Sequence, residues 1–381
     1  MGPLAGLRVI EIAGRGPGPF AGMLLADMGA DVVRVDRTGD GARPEAPNDR
    51  LELINRGRRS VALDLKQPAG LAVLFRLVEE ADALFEGFRP GVAERLGFGP
   101  EACLARHPSL VYARATGWGQ DGPLAAAAGH DIDYIALAGA LDPIGPADGP
   151  PVVPLNLVGD YAGGGMLLAF GLVCGMLEAR ASGRGQVVDA AMLDGASVLM
   201  TLFHGRRLNG TWRDSRGSNL LDGGSPYYGV YETKDGRYVA IGAIERKFHG
   251  ELLRQLGIGD APEPLRRPDW PVMRARLAAA FKTRTRDEWA GLFEGSDACL
   301  APVLELSEVA RHPHIAARQG FVEVDGVSQP APAPRFSRTP GGVALPPPHP
   351  GEHTRDVLRE CGYDEGEIGW LLSTGAAGQS G

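Results

Sequence analysis

A chain of 381 residues with 44% hydrophobic content can bury a substantial core and is long enough to form two globular units. Its formal net charge of -8 argues against nucleic acid as the main partner. The four cysteines, Cys103, Cys174, Cys299 and Cys361, stand far apart with no C-x-x-C and no histidine at metal-ligand spacing, which fits a reducing cytoplasm.

The opening Met1-Gly2-Pro3-Leu4-Ala5-Gly6-Leu7 has no basic region or long apolar core, so no secretory signal is expected. Residues 7–13 read as a buried strand, Gly14-Arg15-Gly16-Pro17-Gly18-Pro19 as a loop, 20–28 as a short helix and 31–35 as a second strand. Such a βαβ opening, closed by Asp36, invites a dinucleotide reading. The spacing fails it: the third glycine of the fingerprint falls on Pro19, and Pro17 stiffens a loop that should bend tightly round a pyrophosphate.

Asn55-Arg56-Gly57-Arg58-Arg59-Ser60 sets three arginines in four positions, a cluster suited to bidentate phosphate contacts or, more plainly, to a solvated loop. Lys66 follows, one of four lysines among 39 basic residues. A helical run over 71–80 leads to a strand at 83–85, and Arg89 and Arg95 flank the turn beyond it. That is the edge where open α/β sheets bind ligands. With Arg37 at the end of the second strand, these cations predict a rim for an anionic, phosphate-bearing ligand.

A strand over 110–115 runs into the glycine-rich loop Thr116-Gly117-Trp118-Gly119-Gln120-Asp121-Gly122-Pro123, which delivers the chain to Gly129-His130-Asp131-Ile132-Asp133-Tyr134. The spacing of Ile132, Ile135, Ala136 and Ala138 predicts a helix whose N-terminal end holds His130 and Asp131. Histidine exchanges protons near neutrality, and a helix start stabilises developing negative charge, so this stretch is the candidate reaction centre. As an isolated pair, Asp131 would be only an N-cap and His130 a loop residue. Asp160, in Asn156-Leu157-Val158-Gly159-Asp160, reads as an N-cap before three glycines and a buried helix over 166–177, too short to span a bilayer. A carboxylate so placed is also a possible proton acceptor.

A strand at 186–190 and a helical run over 193–202 close the first unit. Residues 206–224 are polar and glycine-containing and read as a linker. Strands at 227–233 and 238–241 form a predicted hairpin round Asp235-Gly236, and Glu245 stands where the next helix begins, a position held by caps more often than catalysts. Helices are predicted over 270–281, 286–294 and 357–371, an extended proline-rich arm over 329–350, and disorder over 373–381. The C-terminal sequence carries neither a lipidation box nor a peroxisomal ending.

Leu4-Ala5-Gly6-Leu7-Arg8-Val9-Ile10-Glu11, Ala26-Asp27-Met28-Gly29-Ala30-Asp31, Phe88-Arg89-Pro90-Gly91, Thr116-Gly117-Trp118-Gly119-Gln120 and Pro350-Gly351-Glu352-His353-Thr354 together resemble the family III CoA-transferase superfamily. Within it, the stretches round His130 and Asp160, with Ala243-Ile244-Glu245, are similar to the α-methylacyl-CoA racemase branch. The resemblance implies an α/β fold: a Rossmann-like large domain (1–200, completed by 329–381), a linker (201–224), a small α+β domain (225–320) and a proline-rich return arm (321–350). It further implies an interlocked homodimer in which the large domain of one subunit and the small domain of the other form the site. Cysteine usage, charge and the short apolar run predict a cytoplasmic protein without nucleic-acid or membrane partners.

The same resemblance implies that His130 and Asp160 carry the proton at opposite faces of the substrate's C2, with Asp131 and Glu245 in support. Arg37, Lys66, Arg89 and Arg95 would hold CoA. The implied reaction interconverts 2-methylacyl-CoA epimers through an enolate. It needs two bases and no metal, flavin or nicotinamide, CoA being part of the substrate. The alternative on this scaffold is CoA transfer between carboxylic acids through an acyl anhydride on Asp160, for which His130 is not required.

Overall fold

The computed structural model describes residues 2–39 and 49–380; Met1 and Gly381, at the ends of the segments discussed above, lie outside them. The chain forms two compact units, one of Met1–Ala138, Leu155–Leu199 and His314–Gly381, the other of Gly139–Pro154 and Met200–Pro313.

In the first unit β1 (Arg8–Ile12), α1 (Pro17–Asp27), β2 (Asp31–Asp36), β3 (Arg59–Leu63), α2 (Pro68–Glu79), β4 (Ala83–Glu86), α3 (Val92–Arg95), α4 (Pro100–Arg106), β5 (Val111–Thr116) and α5 (Asp131–Leu137) follow in order. A π-helix, Leu157–Met166, then runs directly into α6 (Leu167–Ser182), followed by β6 (Gln186–Ala191) and α7 (Met192–Leu199). In the second unit lie α8 (Thr201–Leu208), β7 (Tyr228–Glu232), β8 (Tyr238–Gly242), α9 (Arg246–Gln255), α10 (Trp270–Phe281), α11 (Arg286–Phe293), β9 (Leu300–Pro302) and α12 (Leu306–Val309). The chain continues through α13 (Pro313–Ala317), β10 (Phe321–Val324), β11 (Val327–Pro330), α14 (Thr354–Glu360), α15 (Glu365–Ser373) and β12 (Ala377–Gly378).

The large sheet has the order β12-β3-β2-β1-β4-β5-β6, parallel except for β12, which runs antiparallel to β3. Alternation along β1 explains its two cores. Ile10 and Ile12 face Val73, Leu74, Leu77 and Leu358, whereas Val9 faces Leu25, Leu168 and Leu172. Helices therefore cover both faces, as a buried parallel sheet requires. The second unit is a three-stranded antiparallel sheet, β7-β8-β9, packed through Tyr231, Val239 and Ile241 on Leu252, Leu277, Phe281 and Trp289.

Several expectations change. The first helix starts at Pro17, not residue 20, because proline costs nothing at a first helical position where its missing N–H has no intrahelical partner. The arginine cluster at 55–60 is neither a phosphate cradle nor a solvated loop. Arg56 and Arg58 are buried, Arg56 bonding Asp27 at 2.6 Å and Arg58 meeting Glu11 at 2.8 Å, and Arg59 opens β3 paired with Asp31 and Glu360.

The apolar run is also longer than read. With the π-helix it makes one helix, Leu157–Ser182, of 26 residues, enough by length and composition to cross a bilayer. It is not buried all round: Leu168, Leu172 and Met176 lie in the core, whereas Phe170 and Leu177 are exposed. The helical run expected to end near 202 divides into α7 and α8, and α8 carries regular structure to Leu208 within the stretch read as linker. Residues 377 and 378 are not disordered. They pair with Leu63 and Ala62, and Thr354 Oγ1 donates to the Gly378 carbonyl at 2.6 Å.

Candidate active site

The order β3-β2-β1-β4-β5-β6 reverses direction between β1 and β4, and in such sheets the loops beyond the carboxyl ends of these strands open the ligand crevice. The loop after β1 reaches Asp160 there. Gly16 has φ +67°, and a β-carbon added to it would lie 3.0 Å from Asp160 Oδ2, so the close approach needs glycine. Proline at 17 and 19 removes two N–H donors from the start of α1, which is why this βαβ turn is poorly equipped to cradle a pyrophosphate. Asp36 is likewise engaged, by Arg34 at 3.2 Å and the Ser60 hydroxyl at 2.6 Å.

Asp160 is the fourth residue of the π-helix and not its N-cap, a position taken by Asn156. The Asn156 side-chain amide donates to Asp160 Oδ2 at 3.1 Å. Gly163, Gly164 and Gly165 let this helix sit close to its neighbours: a β-carbon at Gly164 would be 2.8 Å from both Pro17 and Met192. Burial raises the proton affinity of the Asp160 carboxyl above the ordinary aspartate range. Asn156 opposes the rise, the charge of Asp131 adds to it, and His130 lies close enough to favour the ionised form.

His130 is the N-cap of α5 and exposed, its backbone N–H donating to Asp133 Oδ2 at 2.9 Å. Asp131 does not cap its own helix. Its Oδ2 accepts from the backbone N–H groups of Gly159 at 2.6 Å and Asp160 at 2.7 Å, tying the start of α5 to the π-helix. A β-carbon at Gly159 would stand 2.6 Å from that oxygen, so glycine is required there too. The fold thus brings His130, Asp131 and Asp160 together from segments about thirty residues apart. Glu245 lies in the second unit, exposed at the N-cap of α9, with no capping hydrogen bond from its side chain.

The four rim cations share the carboxyl edge of the sheet. Arg37 follows the last residue of β2, Lys66 and Arg89 stand just past the ends of β3 and β4, and Arg95 ends α3. All four are exposed, and among the described residues none forms an ion pair. Sequence reasoning gave no role to Asn156 or Tyr134. The i, i+4 spacing of Asn156 to Asp160 and of His130 to Tyr134 was the available signal. Among the described residues no group of three or more His, Cys, Asp and Glu side chains could hold a metal ion.

The chain belongs to CoA-transferase family III, whose pattern matches residues 4–354. It is 45% identical over 370 residues to the alpha-methylacyl-CoA racemase of Mus musculus, covering 96% of this chain and 95% of that protein. It is 31% identical over 401 residues to the succinyl-CoA:glutarate CoA-transferase of Mus musculus, covering 100% and 91%. A crystal structure of a CAIB/BAIF family protein from Brucella suis matches with a TM-score of 0.82 at 28% identity, over 94% of this chain and 99% of that one.

Proposed function

We propose that the protein is a racemase that interconverts (2R)- and (2S)-2-methylacyl-CoA thioesters by proton transfer at C2. The observation that carries the reading is the pairing of His130 with a half-buried Asp160 whose proton affinity is raised by burial. An acid poised nearer the working pH both takes and returns a proton, which is what a general acid–base pair needs. The greater identity to the racemase than to the transferase supports the same choice.

In this reading one base takes the C2 proton, the C2–H electron pair moves into the C1–C2 bond, and negative charge gathers on the thioester oxygen. The other base then delivers a proton to the opposite face. Asp131 fixes the Asp160 backbone, Glu245 serves in support, and Arg37, Lys66, Arg89 and Arg95 hold the phosphates of CoA. The enzyme works without a bound cofactor, as a cytoplasmic, interlocked homodimer.

His130→Ala and Asp160→Ala should each reduce racemisation by several orders of magnitude; general acid–base catalysis alone contributes roughly 10²–10⁴-fold at each site. Wild-type activity in either variant would refute the assignment. Incubating one epimer in deuterated water separates the two reactions. Epimerisation with deuterium at C2 supports the racemase, whereas an untouched C2 and an added carboxylic acid that acquires CoA would establish transfer through Asp160.

A further inference from the structure

Tyr134 is the aromatic residue of α5, one helical turn beyond His130, and its backbone N–H donates to the His130 carbonyl at 3.3 Å. Its ring is held on three sides. A β-carbon at Gly117 would lie 2.0 Å from Cζ and 2.3 Å from the hydroxyl, one at Gly129 would lie 2.7 Å from Cε1, and the Trp118 ring packs edge-on at 4.7 Å. Neither glycine can become another residue without moving the phenol. The glycines of the loop after β5 therefore build a seat for this ring at the carboxyl edge of the sheet.

The seat is closed round the ring and open at its tip. Tyr134 is 6% exposed, and its hydroxyl makes no hydrogen bond among the described residues, yet it is not one of the sealed polar atoms that lack partners. The small exposed remainder thus includes the hydroxyl. Asp160, Asp133 and Arg89 are the charged groups near it. Burial raises the phenol's pKa, Asp160 and Asp133 add to the rise and Arg89 opposes it, so at neutral pH the group is a donor. A buried ring with a rigid seat, an unused donor, and both a proposed base and a rim cation beside it is built to receive an acceptor atom.

We propose that the Tyr134 hydroxyl is a substrate-binding donor in this site and takes a carbonyl oxygen of the CoA thioester. This rests on the reading of the ligand as an acyl-CoA. Two carbonyl sources share that chemistry, the thioester itself and the amides of the pantetheine arm, and free CoA carries only the second.

The test is calorimetric titration of wild type and Tyr134→Phe with free CoA and with a 2-methylacyl-CoA, beside thermal melts of both proteins. The variant keeps the ring and loses only the oxygen. Because that oxygen has no partner within the chain, the melting temperature should stay at the wild-type value. Affinity for the thioester should fall about three- to tenfold, the worth of one neutral hydrogen bond. A loss confined to the thioester assigns the oxygen to its carbonyl, and an equal loss with free CoA assigns it to the pantetheine amides. Unchanged affinity for both ligands overturns the proposal while leaving the acyl-CoA reading intact. Failure of the wild type to bind either ligand overturns the acyl-CoA reading and the proposal with it.

Discussion

The segment 55–60 and the rim formed by Arg37, Lys66, Arg89 and Arg95 carry the same kind of charge to opposite ends. Arg56 and Arg58 are sealed against Asp27 and Glu11 between β3, α1 and β1, and burial lowers the Arg58 guanidinium to about 10 despite its carboxylate partner. The rim cations stand exposed past strand ends, with no ion pair among the described residues. A dense run of arginines was therefore the weaker guide to a ligand. The rim cations stay open for the proposed phosphate contacts, whereas Arg56 and Arg58, buried against carboxylates, are closed to a phosphate.

Breaking the buried set should cost the fold. Arg58→Met strands Glu11 in the core without its cation, and about 3–5 kcal/mol of stability should be lost in chemical denaturation. Adding Glu11→Leu should return most of that loss, since an apolar pair needs no counter-ion. Removing a rim charge should do the reverse. Arg89→Ala should leave the unfolding free energy within about 0.5 kcal/mol of wild type and weaken CoA binding about tenfold, with the difference shrinking as salt rises. If Arg58→Met lost affinity at unchanged stability, or Arg89→Ala unfolded the protein, the contrast between the two sets would collapse.

The smallest effect concerns Asp160. Its folded carboxyl binds a proton more tightly than an unfolded aspartate, so between the ordinary aspartate range and the raised value the native state holds more protons. Stability then falls as pH rises through that window and changes no further above it. Asp160→Asn lacks this slope. The melting temperature of the variant relative to wild type should climb through the window and then level off, and a difference that stays flat with pH would show that burial leaves the carboxyl unperturbed.

Much of the large unit was legible because its strands and helices obey simple periods. Val9, Ile10 and Ile12 alternate, and the helix over 71–80 has a clear apolar face. The strand β3 was hidden because it opens with Arg59 and Ser60, whose polar character is satisfied by Asp31, Glu360 and Asp36 only once the chain has folded. Two residues, Ala377 and Gly378, carry no pattern at all, and their order comes from pairing with β3. At the site, the residue types His130 and Asp160 were readable. The link between them was not, since Asp131 reaches backbone groups 28 and 29 residues away, and no local spacing encodes a contact of that range. The helix begins at Leu157, three residues before Asp160, so Asp160 lies inside it and not at the cap position that its neighbours suggested.

The most direct test of the two-base account is C2 deuterium exchange measured separately for each epimer of a 2-methylacyl-CoA in His130→Ala and Asp160→Asn. Each variant keeps the base on one face, so each should exchange one epimer with retention of configuration, and the two variants should choose opposite epimers. Exchange of the same epimer by both variants, or interconversion of the epimers by either at the wild-type rate, would contradict it.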